Sequence, residues 1–254
     1  MSNPQRNILV TGAGSGLGRG LCEAFSQAGH HLFISDQILD RAQETLRAIG
    51  DRGSAHTLDV TSETNIDAFF SEIGNQRVDV LVNNAGVQHV AKLEDFAQDK
   101  WDLLVDVILK GTYLMTRAAI PLMRQQGYGR IVNTGSIHSL VASPFKSAYT
   151  AAKHGLLGFS KAIALESADV DITINTICPA YIRTPLVEAQ IKDQAKTHNI
   201  SEDDVVQKIM LQPMPKSAFI TPQEVAATIE FLCGDMARNI TGQTIVIDGG
   251  WTVR

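Results

Sequence analysis

A strand, a glycine-rich turn and a helix follow one another at the start of the chain, and this order restricts the possible folds. Residues 7–10 form a short apolar run that leads into 11–18, where every second residue from Gly12 to Gly18 is glycine. A helical pattern continues to about Ala28, and a second strand is expected at 31–35. Glycine lets a backbone approach a ligand closely, and a helix start offers unpaired N–H groups to a phosphate. A flexible turn would explain the glycines alone, but this strand–turn–helix–strand order is the setting that a nucleotide site requires.

Strands and helices alternate along the rest of the chain. The apolar patterns predict strands at 55–58, 78–82, from Gly129, at 172–177 and at 243–248, and helices at 40–49, 62–73, 99–126, 149–168 and from Thr221 onward. Such alternation predicts a doubly wound α/β fold, with a parallel sheet and helices on both faces. We expect one domain over residues 1–254, with a weakly patterned segment at about 185–215 acting as a lid.

The composition is that of an ordinary globular protein and argues against several classes. The chain has 254 residues, 44% of them hydrophobic, and a net charge of -5, which gives no electrostatic reason to bind nucleic acid or an anionic membrane. No apolar run is long enough to span a bilayer, and no signal-peptide core precedes the first strand. Cys22, Cys178 and Cys233 lack metal-ligand spacing, so we expect no metal and buried thiols in a reducing cytoplasm.

The second predicted strand is followed by Asp36, whose position indicates a cofactor preference. A carboxylate at this distance from the glycine turn suits hydrogen bonding to the adenosine ribose hydroxyls. It would also repel the 2′-phosphate of NADP, and the glycine turn contains no Arg or Lys to attract one. The sequence therefore favours NAD over NADP. The alternative is that Asp36 is only a helix N-cap or a turn residue.

Three side chains after Gly129 form a candidate catalytic group. Tyr149 and Lys153 are four residues apart on a predicted helix and share one face, and Ser136 follows the preceding strand. A nearby ammonium lowers the pKa of a phenol from about 10, so Tyr149 can exchange a proton with an alcohol while Ser136 holds the substrate oxygen. In isolation these residues are more often a core tyrosine, a solvated lysine and a turn serine. The spacing indicates catalysis only if a hydride carrier binds nearby.

Together these motifs resemble the short-chain dehydrogenase/reductase family over essentially the whole chain. The matching motifs are Thr-Gly-x-x-x-Gly-x-Gly at 11–18, Asn-Asn-Ala-Gly at 83–86, Ser136, Tyr-x-x-x-Lys at 149–153 and Pro-x-x-x-x-Thr at 179–184. The resemblance implies a single Rossmann domain with a seven-stranded parallel sheet, and oligomers that are usually tetramers.

The resemblance also implies roles for individual residues. Tyr149 would be the general acid/base, Ser136 would orient the substrate, and Lys153 would bind the ribose and lower the pKa of Tyr149. Asp59 and Val60 would contact adenine, Asn83 and Gly86 would line the ribose side, and Ile182 and Thr184 would hold the carboxamide. The full set expected to bind NAD is Gly12, Ser15, Gly16, Leu17, Gly18, Asp36, Asp59, Val60, Asn83, Gly86, Tyr149, Lys153, Pro179, Ile182 and Thr184.

A further set of residues is similar to one branch of that family, the D-3-hydroxybutyrate dehydrogenases. The similarity lies in Gln88-His89-Val90, residues 136–143, Lys146, Gln190 and the C-terminal Asp248-Gly249-Gly250-Trp251. It implies that NAD oxidises (R)-3-hydroxybutyrate reversibly to acetoacetate, and that Gln88, His138, Lys146 and Gln190 bind the substrate carboxylate.

The chemistry of these four residues supports that implication. A short hydroxy acid must be oriented by its charge; Lys146 can supply a positive charge, and the other three side chains can donate hydrogen bonds. A buried carboxylate without such partners would be costly. Taken singly, Lys146 could be a solvated loop lysine, His138 a packed histidine, and Gln88 and Gln190 surface residues. Only the joint pattern favours a binding site.

Two positions depart from the family pattern. Ile108 stands where the family usually has an asparagine in an Asn-x-x-Gly pattern, and isoleucine cannot hydrogen-bond. We therefore predict that a route through backbone carbonyls or water replaces the usual proton path from Lys153. Ala180 replaces a glycine after Pro179, and Tyr181 beside it is expected to close an aromatic wall over a small substrate.

Two other functions fit parts of the sequence. One is reduction of a 3-oxoacyl thioester or another ketone, although such a thioester has no free carboxylate for Lys146 and His138 to hold. The other is a nucleotide-binding protein without catalysis, to which Ile108 could point. The presence of Ser136, Tyr149 and Lys153 together argues against the second.

Overall fold

Seven parallel strands form one sheet in the computed structural model, which describes residues 4–253 apart from the side chains of 197 and 198. The strands are β1 (Asn7–Thr11), β2 (His31–Asp36), β3 (Gly53–Thr57), β4 (Val80–Asn83), β5 (Gly129–Thr134), β6 (Ile172–Pro179) and β7 (Thr244–Ile247). Their order across the sheet is β3-β2-β1-β4-β5-β6-β7, and every neighbouring pair is parallel. The predicted doubly wound α/β fold is confirmed.

Helices connect the strands and lie on both faces of the sheet. They are α1 (Gly16–Gln27), α2 (Leu39–Ala48), α3 (Glu63–Ile73), α4 (Gln98–Val105), α5 (Gly111–Gln126), α6 (Ser147–Glu166), α7 (Pro185–His198), α8 (Glu202–Asp204) and α9 (Pro222–Cys233). Within residues 4–253, no helix combines the length and the apolar character that a membrane crossing requires.

The alternation of side chains along β1 explains why both faces of the sheet are apolar. Ile8 and Val10 point into one buried cluster, which also contains Leu21 of α1. Leu9 points into the other cluster with Phe69 of α3. Because successive side chains of a strand alternate between faces, a strand covered by helices on both sides must be apolar throughout.

The strand order reverses between β1 and β4, and this reversal places the site. In open parallel sheets a crevice forms where connections lead to opposite faces, at the carboxyl ends of the strands. Asp36 ends β2, Asn83 ends β4 and Pro179 ends β6, while Ser136 follows β5 by two residues. Most of the predicted site residues therefore lie along one edge of the sheet.

The predicted helix at 99–126 differs from the structure in one respect. A π-helical turn, Asp106–Lys110, joins α4 to α5, so the helical path is continuous but its hydrogen bonding is not. Such turns insert one extra residue and occur often near functional sites. The residue at their centre here is Ile108, the departure noted in the sequence.

The segment predicted as a lid folds into α7, α8 and a second π-helical turn, Val205–Leu211. It has a small apolar core of its own, formed by Val187, Ile191, Val205 and Met210. Thr184 caps α7 by accepting a hydrogen bond from Val187 N (3.3 Å). The segment covers the sheet edge, and its motion as a lid stays a prediction.

The start of α9 provides a test of the local stability of the fold. Thr221 and Glu224 form a reciprocal capping box, and loss of an N-cap hydroxyl costs about 1 kcal/mol. We expect Thr221→Ala to lower the free energy of unfolding by about that amount in urea titrations, whereas Thr221→Ser retains the wild-type value. Equal stability of the two variants would contradict a role for the cap.

Candidate active site

A cavity of about 490 Å³ runs along the carboxyl ends of the central strands. It extends from the glycine-rich turn after β1 to the first turns of α6 and α7. The predicted residues that line it are Gly12, Ser15, Gly16, Leu17, Asp36, Asp59, Val60, Gly86, Gln88, Ser136, His138, Lys146, Tyr149, Lys153, Pro179, Ile182, Thr184 and Gln190. The fold thus brings almost all of the predicted site into one space.

The glycine-rich turn forms a backbone cradle at one end of the cavity. A Cβ atom on Gly14 would lie only 2.7 Å from Asp36 Oδ2, so the turn could not approach β2 with a larger residue. Ser15 occupies the N-cap of α1, but its side chain makes no capping hydrogen bond. The hydroxyl and the first N–H groups of the helix are therefore available to a phosphate.

Asp36 lies at the far end of this cradle with its carboxylate fixed in place. Gly14 N donates to Oδ2 (3.1 Å) and Ile38 N donates to Oδ1 (3.0 Å). Sequence reasoning missed Arg41, which lines the cavity beside Asp36. Arg41 lies in the first turn of the helix that follows β2, which is the signal that would have pointed to it. The cradle and the fixed carboxylate fit the phosphates and ribose of a dinucleotide.

Asp59 and Val60 border the same end of the cavity. Thr61 donates two hydrogen bonds to Asp59 Oδ1, from its N (2.9 Å) and from its Oγ1 (2.7 Å). Burial opposes ionisation of Asp59, but these bonds and one from Gln37 hold the pKa of its carboxyl below the usual value. Asp59 is thus a fixed anion beside the expected adenine position.

Two predicted cofactor residues do not line the cavity. Gly18 lies inside α1, where a Cβ would come within 2.4 Å of Gly12 O, so its contribution is close packing of helix against turn. The side chain of Asn83 does not lie on the ribose side, so that expectation is wrong. It is buried and donates to Asn133 Oδ1 (2.8 Å) and to Thr116 Oγ1 (3.2 Å). Asn84 lines the cavity instead.

Ser136 and Tyr149 meet at the other end of the cavity. Ser136 Oγ accepts a hydrogen bond from His138 N (3.1 Å), which leaves the hydroxyl proton free to be donated. Burial raises the pKa of Tyr149 above its ordinary value, and the nearby Ser136 hydroxyl opposes the rise. The serine and the phenol therefore border the same part of the cavity.

Lys153 is buried one turn after Tyr149 on α6. Its Nζ lies 5.6 Å from the Tyr149 ring centroid and donates a hydrogen bond to Thr134 O. Burial lowers the pKa of Lys153 to about 8. Burial is the largest influence on the pKa of Tyr149, and the lowering of that pKa by Lys153 stays a prediction.

Lys146 lies at the N-cap of α6 and is 6% exposed. Its Nζ lies 3.4 Å from His138 Nε2 and 5.7 Å from the Tyr181 ring centroid. Across residues 4–253, no carboxylate forms an ion pair with it. Burial lowers the pKa of Lys146 to about 8, and burial together with Lys146 lowers the pKa of His138 to about 4. His138 is therefore neutral near pH 7, and its ring can donate or accept.

Two glutamines and two aromatic rings complete this end of the cavity. Gln88 follows β4 and Gln190 lies on α7, where its Oε1 is buried and has no hydrogen-bond partner. Tyr181 lines the cavity and stacks against Trp251 with ring centroids 5.9 Å apart. Trp251 also packs edge-on against His138 at 6.2 Å. The aromatic wall expected from Tyr181 is present, and Trp251 supports it from behind.

Ile108 does not reach a polar group with its side chain. It is 1% exposed and packs with Leu104, Ala152 and Leu156 in a small apolar cluster. Its carbonyl oxygen accepts a hydrogen bond from Thr112 Oγ1 (2.8 Å). The predicted substitute proton route stays a prediction, and the one backbone carbonyl that contacts Lys153 is that of Thr134.

A nucleotide cradle that leads to a serine, a tyrosine and a lysine defines an oxidoreductase of the Rossmann type. Comparison with known proteins supports this class. A family model described as "Enoyl-(Acyl carrier protein) reductase" matches residues 12–252. Two proteins named D-beta-hydroxybutyrate dehydrogenase are similar over nearly full length. The one from Rhizobium meliloti is 41% identical (98% of this chain, 99% of the relative), and the one from Cupriavidus necator is 38% identical (98% of each).

The fold comparison agrees with the sequence comparison. A crystal structure of a protein named "putative gluconate dehydrogenase" from Agrobacterium tumefaciens superimposes with a TM-score of 0.87 at 33% identity, covering 97% of this chain and 95% of that one. The chain belongs to the short-chain dehydrogenase/reductase family. It is an oxidoreductase that uses a nicotinamide dinucleotide.

The buried ammonium of Lys146 leads to a prediction about stability. Replacing an unpaired buried charge with an apolar residue of similar shape is stabilising by roughly 1–3 kcal/mol, so Lys146→Met is expected to unfold at a higher temperature near pH 7. The lowered pKa means that the unfolded chain binds the additional proton between about pH 8 and 10.5. Wild-type stability should rise with pH over that interval relative to the variant.

The exposed Lys192 supplies the control for this measurement, because Lys192→Met changes the same charge without burial. Thermal unfolding of the three proteins from pH 6 to 10 checks the prediction. If Lys146→Met and Lys192→Met have the same pH dependence relative to the wild type, Lys146 is not a buried unpaired cation.

Proposed function

We propose that this protein catalyses the reversible NAD-dependent oxidation of (R)-3-hydroxybutyrate to acetoacetate. The observation that carries the proposal is the buried ammonium of Lys146, which lacks a carboxylate partner within the described residues and lies near Tyr149 across His138. A small anionic substrate supplies the missing charge. The names of the two similar dehydrogenases agree with this substrate.

The carboxylate of the substrate would bind between Lys146, His138 and the two glutamines. Lys146 provides the charge, and Gln88 and Gln190, which line the same cavity, provide amide groups. Burying a charged group without partners costs free energy. When the carboxylate binds beside Lys146, each charge compensates for the desolvation of the other. The Tyr181 ring lines this end of the cavity and, with Trp251 packed against it, would limit the length of the carbon chain.

The hydroxyl end of the substrate would meet Ser136 and Tyr149. Ser136 donates a hydrogen bond to the substrate oxygen while charge develops on it, and the Tyr149 phenolate takes the hydroxyl proton. Bound NAD supplies the acceptor for the hydride that leaves carbon 3. Lys153, with one donor on Thr134 O, has two further N–H donors for the ribose and for the phenolate.

The preference for NAD rests on Asp36, and Arg41 weighs against it. The fixed carboxylate of Asp36 accepts from the ribose hydroxyls and repels a 2′-phosphate. The guanidinium of Arg41 at the same end of the cavity attracts one. We infer that Asp36 dominates, because two backbone N–H groups hold it in the cradle.

A reductase for 3-oxoacyl thioesters would use the same Ser136, Tyr149 and Lys153. Such a substrate leaves Lys146 unpaired and must pass the wall formed by Tyr181 and Trp251. The structure favours the free acid for both reasons. The position of Ser136, Tyr149 and Lys153 along one cavity argues against a nucleotide-binding protein without catalysis.

We also propose a homotetramer in the cytoplasm. Several large apolar side chains near α9 and β7 are exposed in the single chain, among them Phe231, Met236 and Val246. Contacts between subunits would remove such groups from water. The three cysteines are free and buried, which is compatible with a reducing compartment.

The direct test is NADH formation from purified protein with (R)-3-hydroxybutyrate, (S)-3-hydroxybutyrate and L-lactate, and with NADP in place of NAD. We expect turnover of the (R) enantiomer with NAD, and weaker turnover with NADP that falls further in Arg41→Ala. Tyr149→Phe should lower kcat at least 100-fold while NAD still binds, because the proton acceptor is gone. Turnover of 3-oxoacyl thioesters in preference to acetoacetate would refute the proposed substrate.

The role of Lys146 is tested by comparing (R)-3-hydroxybutyrate with its methyl ester, which lacks the charge. Lys146→Met should raise KM for the acid by roughly 10- to 100-fold, the value of one charge-assisted bond, and leave KM for the ester and for NAD within about twofold. In the wild type the preference for the acid should fall as pH rises through about 8, where Lys146 loses its proton. An unchanged acid-to-ester ratio in the variant would exclude Lys146 as the carboxylate ligand.

A further inference from the structure

The residue immediately before Lys146 has an unusual backbone conformation. Phe145 has φ of +67°, in the left-handed region that large side chains rarely adopt. It follows Pro144, and the two residues form a tight turn. A proline followed by a residue with positive φ is the pattern of a type II turn, whose second central position is normally glycine or asparagine.

The side chain of Phe145 does not explain this conformation. Its ring is 45% exposed and belongs to none of the apolar clusters of the described residues. Glycine at this position would remove the steric conflict, so the left-handed backbone is not explained by a place for the ring in an apolar cluster. Strained residues of this kind persist when the surrounding structure determines them, and they concentrate at binding sites.

The backbone of Phe145 has two structural consequences. Its carbonyl oxygen accepts a hydrogen bond from Ala91 N (3.0 Å), which ties the turn to the loop that carries Gln88. The next residue, Lys146, leaves the turn with φ of -119° and ψ of 34° and enters α6, with its side chain directed inward to His138. A right-handed conformation at Phe145 would change the direction of the chain at the point where Lys146 begins.

We propose that the left-handed backbone of Phe145 is the positioning device of the carboxylate site: it turns the ammonium of Lys146 into the cavity and holds the Gln88 loop beside it. This inference rests on the proposed function for its substrate, but the placement of Lys146 is a property of the protein alone. Phe145 acts through Lys146 and touches neither substrate nor cofactor.

The test is a series of substitutions ordered by how readily each residue adopts positive φ. Glycine and asparagine adopt it readily, alanine less so, and the β-branched valine least. We expect KM for (R)-3-hydroxybutyrate to follow that order, with Phe145→Gly and Phe145→Asn at or below the wild-type value, Phe145→Ala near it, and Phe145→Val about tenfold higher. The values of kcat and of KM for NAD should stay within about twofold throughout, a split that general destabilisation does not produce.

A second readout does not depend on activity. In Phe145→Val the ammonium of Lys146 should reach solvent, so the rise of stability between pH 8 and 10 is expected to shrink. The groups facing this ammonium are His138 and Tyr181, with Tyr149 beyond His138. Lys153 titrates in every variant, so the difference from the wild type reports Lys146. Circular dichroism checks that each variant is folded. If Phe145→Val does not fold, Phe145→Ala replaces it, because the rise of its stability with pH should still be smaller than that of Phe145→Gly.

The outcomes separate this inference from the proposed function. If the wild type fails to oxidise (R)-3-hydroxybutyrate but the pH-dependent stability follows the series, the function is wrong and the positioning role holds. If neither KM nor the pH dependence follows the series, the positioning role is overturned. It is also overturned if all four variants bind substrate equally poorly, because that result would assign the effect to the aromatic ring.

Discussion

Two buried ammonium groups at the start of α6 determine what the site can bind. Lys146 occupies the N-cap, where the helix dipole also disfavours positive charge, and Lys153 lies in the second turn. Burial lowers the pKa of each to about 8. A carboxylate bound beside Lys146 would gain from its charge and from the helix N-terminus. The same arrangement that destabilises the protein alone therefore stabilises its complex with a small carboxylate.

The partners of the two lysines show why their roles differ. Lys153 donates to Thr134 O, so its position is fixed by the end of β5. Lys146 lies beside the neutral His138 and the face of the Tyr181 ring, and it has no carboxylate partner among residues 4–253. Because Lys153 has a fixed partner, it is suited to orient a ribose and a phenol throughout the catalytic cycle. Because Lys146 has no carboxylate partner, its interaction free energy changes most when an anionic substrate binds or leaves.

The sequence predicted the parts of the site that depend on local periodicity. Tyr149 and Lys153 share a helix face because they are four residues apart, and the glycine turn precedes α1 as its pattern indicated. The expected role of Asn83 came from the family resemblance and not from local periodicity. Asn83 is the last residue of β4, and its side chain bonds Asn133 and Thr116, contacts that no local pattern predicts.

Other features depend on contacts between distant parts of the chain and leave no local pattern. Tyr181 and Trp251 are 70 residues apart in sequence, yet their rings stack behind His138. The pKa of Tyr149 follows from a balance between burial, which raises it, and the nearby Ser136 hydroxyl, which lowers it, and spacing alone cannot give that balance. Whether the pKa of Tyr149 is raised or lowered depends on how deeply the phenol is buried.

The position of Ile108 bears on how protons reach Tyr149. Its side chain fills an apolar cluster between α4 and α6, and burial of an isoleucine there contributes roughly 1.5–3 kcal/mol to the packing of those helices. Its carbonyl accepts the hydroxyl of Thr112 and has a second lone pair that a water could use. The Thr134 carbonyl likewise accepts a bond from Lys153 and has no proton of its own to pass on. A relay from Lys153 to solvent through these carbonyls therefore requires water molecules to carry the proton.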